Sequence, residues 1–369
     1  MCFKPPVLKN ELQFFRFGVK AMIEIDGSYG EGGGAVLRNA VALSAVLGEP
    51  VRIWNIRAGR KEPGLKMQHL TGVKALADIC GAEVSGLAKG STEITFIPGK
   101  IKGGKHRLDI GTAGSITLVL QSLMPALAFA EKKTELELIG GTNVAWSPPA
   151  DYMENVMLPV VKSMGFKVEL AIEKRGWYPA GGGVVKTAFE PAGHLDPLRI
   201  CERGNLLCVE GISVASNLPE HVVERQATAA RKALSATGIE CRIRKEIAPA
   251  TCPGSAVVLW ARFSSGAVLG GSSIGERGKP AEKVGEEAAK ELLAAIESGA
   301  ALDVHLCDQM LIFAALAEGE SEFSASAWSS HSATNAWLIQ QFIKKGFQIK
   351  NEENGRVRVR IEGIGLKRV

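Results

Sequence analysis

The chain has 369 residues, more than one hydrophobic core ordinarily supports, so two or three folding units are expected. Apolar residues at 46% and charged residues at 22% exclude a disordered chain, and no run of about 18 uncharged apolar residues is present to span a bilayer. A net charge of +5 permits a polyanionic partner without demanding one, while seven scattered cysteines, never spaced C-x-x-C, argue against a zinc knuckle or a secreted disulfide framework and for a reducing, cytoplasmic setting.

Residues 1–21 lack the uninterrupted apolar core of a signal peptide and read as an N-terminal extension outside the fold. Met22–Asp26 is the first strand. Gly34–Leu47 then repeats apolar residues at helical spacing and stops at Gly48, strand Val51–Ile56 follows, and a second helix near Lys66–Cys80 ends at Gly81 before two short strands. The order helix, alternating strand, helix, two strands returns over Ser115–Phe189. A shorter third copy is predicted from helix Gln309–Ala317 through strand Glu322–Ala325, helix Ser332–Lys345 and strand Arg356–Glu362. Residues 200–300 follow another order of strands and helices. The expected architecture is therefore α/β (α+β): a large domain of three repeats, over 22–199 and 301–369, with a smaller α/β domain inserted at 200–300.

The stretch IDGSYGEGGGAVLR runs from strand through glycines into a helix, as a dinucleotide-binding turn does. An acidic residue should then end the next strand, and Asn55-Ile56-Arg57 stands there instead, which argues against NAD. Glycine-rich backbone at a helix start still suits a phosphate. Glu31 within it would either hold a divalent metal or offset the helix dipole. Arg57, Arg60, Lys61 and Lys66 around a Pro-Gly turn, with Gln68 and His69 opening the next helix, form either a phosphate-binding cluster or solvated charge. The basic stretch Lys100–Arg107 and the ladder Arg356, Arg358, Arg360 offer further contacts for a nucleic-acid backbone. His331, in WSSHSATN, is either an incidental neighbour of a serine helix cap or a nucleophile.

Taken together, DGSYGEGGG (Asp26–Gly34), IRAGR…PGL…QHLTGVKA (Ile56–Ala75), GSITLVLQ (Gly114–Gln121), RGWYPAGGGVV (Arg175–Val185), HLCDQ (His305–Gln309) and HSATN (His331–Asn335) resemble the RNA 3′-terminal phosphate cyclase family over nearly all of residues 22–362. The resemblance implies three initiation-factor-like βαβαββ repeats, as in enolpyruvyl transferases, and an ATP-dependent conversion of an RNA 3′-phosphate end to a 2′,3′-cyclic phosphate. It also implies a covalent histidine-AMP intermediate, an RNA end activated as an RNA-(3′)pp(5′)A anhydride, and release of pyrophosphate and AMP. The nucleophile falls on His331, the ATP contacts on Gln121 and on His305, Leu306, Cys307, Asp308 and Gln309, and a magnesium- or manganese-class ion on Glu31. Arg38, Arg57, Arg60, Gln68 and His69 would surround the phosphates or the RNA end. Ala35 departs from the family pattern, where glutamine is common, and so does Ser332, where an apolar residue commonly follows the histidine. The alternative within the same fold is a non-catalytic, RNA-binding ribosome-assembly factor, in which the motif histidine would be lost.

Overall fold

A computed structural model describes residues 21–368 of the chain. The expected extension, except its last residue, lies outside the described residues. The first unit comprises β1 (Ile23–Asp26), α1 (Gly34–Leu47), β2 (Val51–Trp54), α2 (Met67–Cys80), β3 (Glu83–Ser85) and β4 (Ile94–Ile97). β1 and β2 run parallel, with Ile23 opposite Val51, so a crossover must join them, and α1 is that crossover. Antiparallel pairing of β2 with β4 and of β4 with β3 completes the sheet in the order β1-β2-β4-β3. The pleat decides which face is covered: Val51 and Ile53 are buried under the helices while Arg52 between them is exposed.

The second unit repeats the pattern with β5 (Lys105–Asp109), α3 (Ile116–Leu127), β6 (Thr134–Gly140), α4 (Ala150–Tyr152), a π-helical turn (Met153–Met157), α5 (Leu158–Ser163), β7 (Lys167–Lys174) and β8 (Gly183–Glu190), in the order β5-β6-β8-β7. Its lead strand, β5, takes in the end of the basic stretch read as a nucleic-acid contact. Lys105 and Arg107 pair across the parallel ladder with Glu135 at 2.8 Å and Glu137 at 2.9 Å.

The third unit is not shorter. Its lead strand is β9 (Arg199–Ile200), separated from the rest of the unit by β10 (Leu206–Ser216), α6 (His221–Ser235), β11 (Cys241–Ile247), β12 (Gly254–Phe263), β13 (Val268–Ile274) and α7 (Ala281–Glu297). After these come α8 (Val304–Leu316), β14 (Glu320–Ala325), α9 (Ser330–Phe342), β15 (Phe347–Asn351) and β16 (Val357–Glu362). The order β15-β16-β14-β9 matches the other two sheets, with β9 parallel to β14. A two-residue strand carries no periodicity, which is why the sequence pattern missed it. The arginine ladder of this sheet pairs with carboxylates: Arg356 with Glu202 and Glu352, Arg358 with Glu352 and Glu322, and Arg360 with Glu320 and Glu322.

α1, α3, α8 and α9 pack on one another, and one continuous core runs through Leu37, Val41, Leu123, Phe313 and Ile339. The segment between β9 and α8 forms a fourth sheet, β11-β10-β12-β13, with its own core of Val209, Leu234, Leu259 and Leu292 under α6 and α7. Two buried polar joints tie it to the repeats. Asp303 caps α8 by accepting from His305 N and Leu306 N at 3.0 and 2.9 Å, and also accepts from Tyr152 Oη at 2.7 Å and Gly270 N at 2.9 Å. This cap starts α8 five residues before the predicted Gln309, so HLCDQ lies inside the helix.

The RGWYPAGGG motif provides the second joint. Arg175, 3% exposed, grips Asp151 with both terminal nitrogens at 2.6 and 3.0 Å and reaches Glu246 on β11 at 3.1 Å. Beside it the Trp177 indole packs on Gly254, where a Cβ would come within 2.2 Å of the ring. Truncating one partner of a buried pair leaves the other charge desolvated and alone. Arg175→Ala should therefore cost about 3–5 kcal/mol in denaturant unfolding, and the double variant Arg175→Met with Asp151→Leu should recover most of it.

Candidate active site

The loop from β1 to α1 is set by its glycines and by Asp26, whose Oδ1 accepts from Ser28 N at 2.9 Å, Ser28 Oγ at 2.7 Å and Asn55 Nδ2 at 3.2 Å. Gly30 has a φ of +61°, and a Cβ there would sit 2.2 Å from Thr334 Oγ1, so only glycine lets this loop lie against α9. The contact carries Glu31 to the N-terminus of α9. One carboxylate oxygen accepts from Ser330 Oγ and the other lies 2.8 Å from His331 Nδ1. A carboxylate facing Nδ1 favours the neutral tautomer that carries its proton there, in which Nε2 keeps its lone pair.

α9 begins where its cap dictates. Ser329 Oγ accepts from Ser332 N at 3.0 Å, which places His331 on the first turn, ahead of the predicted start at Ser332. Ser332 itself is fully buried, its hydroxyl 3.1 Å from Ser329 Oγ and 3.8 Å from Cys307 Sγ, so a polar residue fits this position. One turn on, Asn335 accepts from Asn39 Nδ2 at 2.9 Å and donates to the Asp308 carbonyl at 3.2 Å. That amide bridge locks α9 to α1 and α8. Neither asparagine was singled out from the sequence, although Asn335 sits at i+4 from His331 within the quoted motif.

Cationic groups converge on the start of α1, whose N-cap Gly33 offers no side chain to its free N–H groups. A Cβ at Gly33 would lie 2.9 Å from Arg60 Nη2, and one at Gly34 would lie 2.4 Å from His69 Nε2 and 3.1 Å from Arg38 Nη1. His69 Nδ1 accepts from Lys66 N at 3.0 Å, so its proton is on Nε2, directed at this point. Burial, and then Arg38, Arg57 and Lys66, push the His69 imidazolium down to about 3, so it is a neutral donor at physiological pH. Desolvation brings Arg38 down to about 10, against the opposing charge of Asp308, and it stays cationic. The Asp308 carboxyl is pushed up to about 7 by burial, opposed by His305 and Arg38.

The other predicted residues divide. His305 Nε2 lies 2.8 Å from Glu291 Oε1, and that bond raises its pKa to about 9. Gln309 Nε2 donates to the His305 carbonyl at 2.9 Å, while its buried Oε1 has no hydrogen-bond partner among the described residues. Gln121 lies half-buried on α3. Leu306 and Cys307 face the core. Arg57 Nη1 is occupied by the carbonyls of Glu62 and Gly64 at 2.9 and 2.7 Å, and Gln68 Oε1 by Ser115 N at 2.9 Å. Among the described residues no group of three or more His, Cys, Asp or Glu side chains is placed to hold a metal, and no helix is long and apolar enough to cross a membrane.

Fold and site together define an α/β repeat protein in which a histidine faces a glutamate beside a cluster of cationic side chains at a helix start. The sequence profile described as RTC, RNA 3′-terminal phosphate cyclase, matches residues 29–349. An RNA 3′-terminal phosphate cyclase of Methanopyrus kandleri is 49% identical over 93% of this chain and 100% of its own. Those of Pyrobaculum aerophilum and Pyrococcus furiosus are each 48% identical, over 94% and 92% of this chain and 99% and 98% of theirs. The chain belongs to the RNA 3′-terminal phosphate cyclase family, and is an enzyme of it. The enolpyruvyl transferase NikO of Streptomyces tendae aligns with 92% of this chain and 48% of its own at 12% identity, with a TM-score of 0.37, too weak a likeness to support a shared fold.

The electrostatics of His331 have a definite sign. Its pKa is lowered: burial outweighs the raising effect of Glu31, and Arg38, Arg60 and His305 lower it further. In Glu31→Gln the raising charge of Glu31 is gone, so NMR titration should find His331 protonating at still lower pH. For His305 the folded-state pKa is raised from 6.5 to about 9, so its pairing with Glu291 adds stability that is full below pH 6.5 and lost as pH climbs through about 9. The unfolding midpoint of Glu291→Gln should accordingly fall below wild type under pH 6.5 and converge with it above about 9.

Proposed function

We propose that the enzyme uses ATP to convert an RNA 3′-terminal phosphate to a 2′,3′-cyclic phosphate, with His331 as the nucleophile. The observation that carries this reading is the 2.8 Å contact between Glu31 and His331 Nδ1, which sets a carboxylate against one ring nitrogen and leaves Nε2 for attack. Nε2 attacks the α-phosphorus of ATP; a P–N bond forms, the P–O bond to the β-phosphate breaks, and pyrophosphate leaves. An oxygen of the RNA 3′-phosphate then displaces histidine and takes the adenylyl group. The neighbouring 2′-hydroxyl finally attacks the 3′-phosphorus, losing its proton and expelling AMP, a step favoured by proximity.

The residues around His331 suit these charges. Arg38 and Arg60, joined by Arg57, offset phosphate charge, and His69 offers a neutral Nε2–H that no pH change in the physiological range would remove. Gln121, His305, Asp308 and Gln309 would hold the nucleotide, with Leu306 and Cys307 fixing the helix beneath. The unpaired buried Oε1 of Gln309 is an acceptor awaiting a donor, as a nucleotide could supply. Glu31 fits a divalent ion of the magnesium or manganese type: two oxygens offer about four acceptor positions, of which Ser330 and His331 take two. One carboxylate together with substrate phosphates is a usual setting for such an ion, which when bound would neutralise phosphate charge. The same reading divides the chain into a large domain over 22–199 and 301–369 and a small domain over 200–300, and the free cysteines fit a reducing cytoplasm.

A non-catalytic RNA-binding role would need neither the oriented imidazole nor the cationic pocket at α1. Incubation with α-labelled ATP and magnesium or manganese, followed by denaturing electrophoresis, decides between them. Wild type should retain label. His331→Ala should not, and its cyclisation rate should fall by roughly three orders of magnitude or more. Label persisting in His331→Ala would move the nucleophile elsewhere, and no label on wild type under any metal condition would sink the mechanism.

A further inference from the structure

Three consecutive loop residues lie along α9. Tyr29 stacks on Trp337 with ring centroids 3.7 Å apart and planes 13° from parallel, Gly30 abuts Thr334, and Glu31 meets Ser330 and His331. At about 100° per residue, Ser330, Thr334 and Trp337 share one flank of the helix. Ser332 and Asn335, which touch Cys307 and Asp308 of α8, share the opposite flank. His331 projects between the two. The side chains assigned to ATP on α8 are therefore on one side of the nucleophile and the Tyr29–Trp337 pair on the other.

Trp337 covers one face of the tyrosine, yet Tyr29 remains 45% exposed, so its other face is open to solvent. A large aromatic held flat on a second ring and left half bare beside a reactive centre is a surface for a planar ligand. From the turn of His331 to that of Trp337 the helix rises about 9 Å, the reach of one nucleotide from its 3′-phosphate to its base. We infer that Tyr29, backed by Trp337, is the stacking platform for the last base of the RNA, holding the acceptor end on the flank of His331 opposite the ATP. This rests on the proposed function, and it adds an element of substrate recognition that tolerates any base, since every base presents a π face.

The test is equilibrium binding without turnover, by fluorescence anisotropy of a 5′-labelled RNA oligonucleotide ending in a 3′-phosphate and of the same oligonucleotide lacking its last base. Wild type should bind the intact RNA about tenfold or more tightly than the abasic one. Tyr29→Ala should bring that ratio close to one, and Tyr29→Phe should keep it. If wild type binds both equally, or Tyr29→Ala keeps the ratio, the platform is overturned while the RNA-end reading stands. If wild type binds neither, both fall. ATP is measured separately by equilibrium dialysis: Tyr29→Ala weakening ATP binding with the RNA ratio intact would assign the platform to adenine and overturn the inference.

Discussion

The close approach of the β1–α1 loop to α9 is the constraint on which the site depends. Gly30 has no Cβ, so the loop backbone can rest on Thr334, and that contact delivers Glu31 to His331 across a sequence separation of about 300 residues. Any other residue at Gly30 would push the loop off the helix and separate carboxylate from imidazole. The amide bridge from Asn39 through Asn335 to the Asp308 backbone holds the same helices from the other side. Three helices from two repeats are thereby fixed around one side chain.

Charge around α1, α8 and α9 is balanced unevenly. Near His331 the arginines and desolvation outweigh a single glutamate, which favours the neutral imidazole. A few residues away the balance reverses: His305 is held protonated by Glu291, and Asp308 titrates near 7. Groups of one type thus differ in protonation because their partners differ.

Much of the fold was legible because helices and strands record their periods locally. Gly48 and Gly81, both left-handed, end α1 and α2 as read, and the alternating strands β6 and β8 lie where the pattern put them. What escaped were features without a period. β9 has two residues and is recognisable only by its neighbour β14; β5 was hidden under a run of charges that pair across the sheet; and α8 starts early because Asp303 caps it. Of the candidate site residues, Glu31, His331, Arg38, Arg60 and His69 come together at the α1–α9 junction. Arg57 and Gln68 also serve the loop and the α3 cap, and their polar side chains showed nothing in sequence to separate the two uses. The RGWYPAGGG motif, conspicuous as a string, works as a buried clasp between repeat and insertion.

The sequence by itself determined the repeat, the caps and the kinds of side chain available for the chemistry. These depend on spacings of a few residues, which the chain carries in its own order. Only the tertiary structure decided that Glu31 meets His331, that Tyr29 lies flat on Trp337 and that the arginines of β16 pair with carboxylates of neighbouring segments. Each of those contacts joins segments whose separation along the chain says nothing about their distance in space. They exist because parallel strands need helical crossovers, and three such crossovers packed on a common core bring distant helix starts to one point.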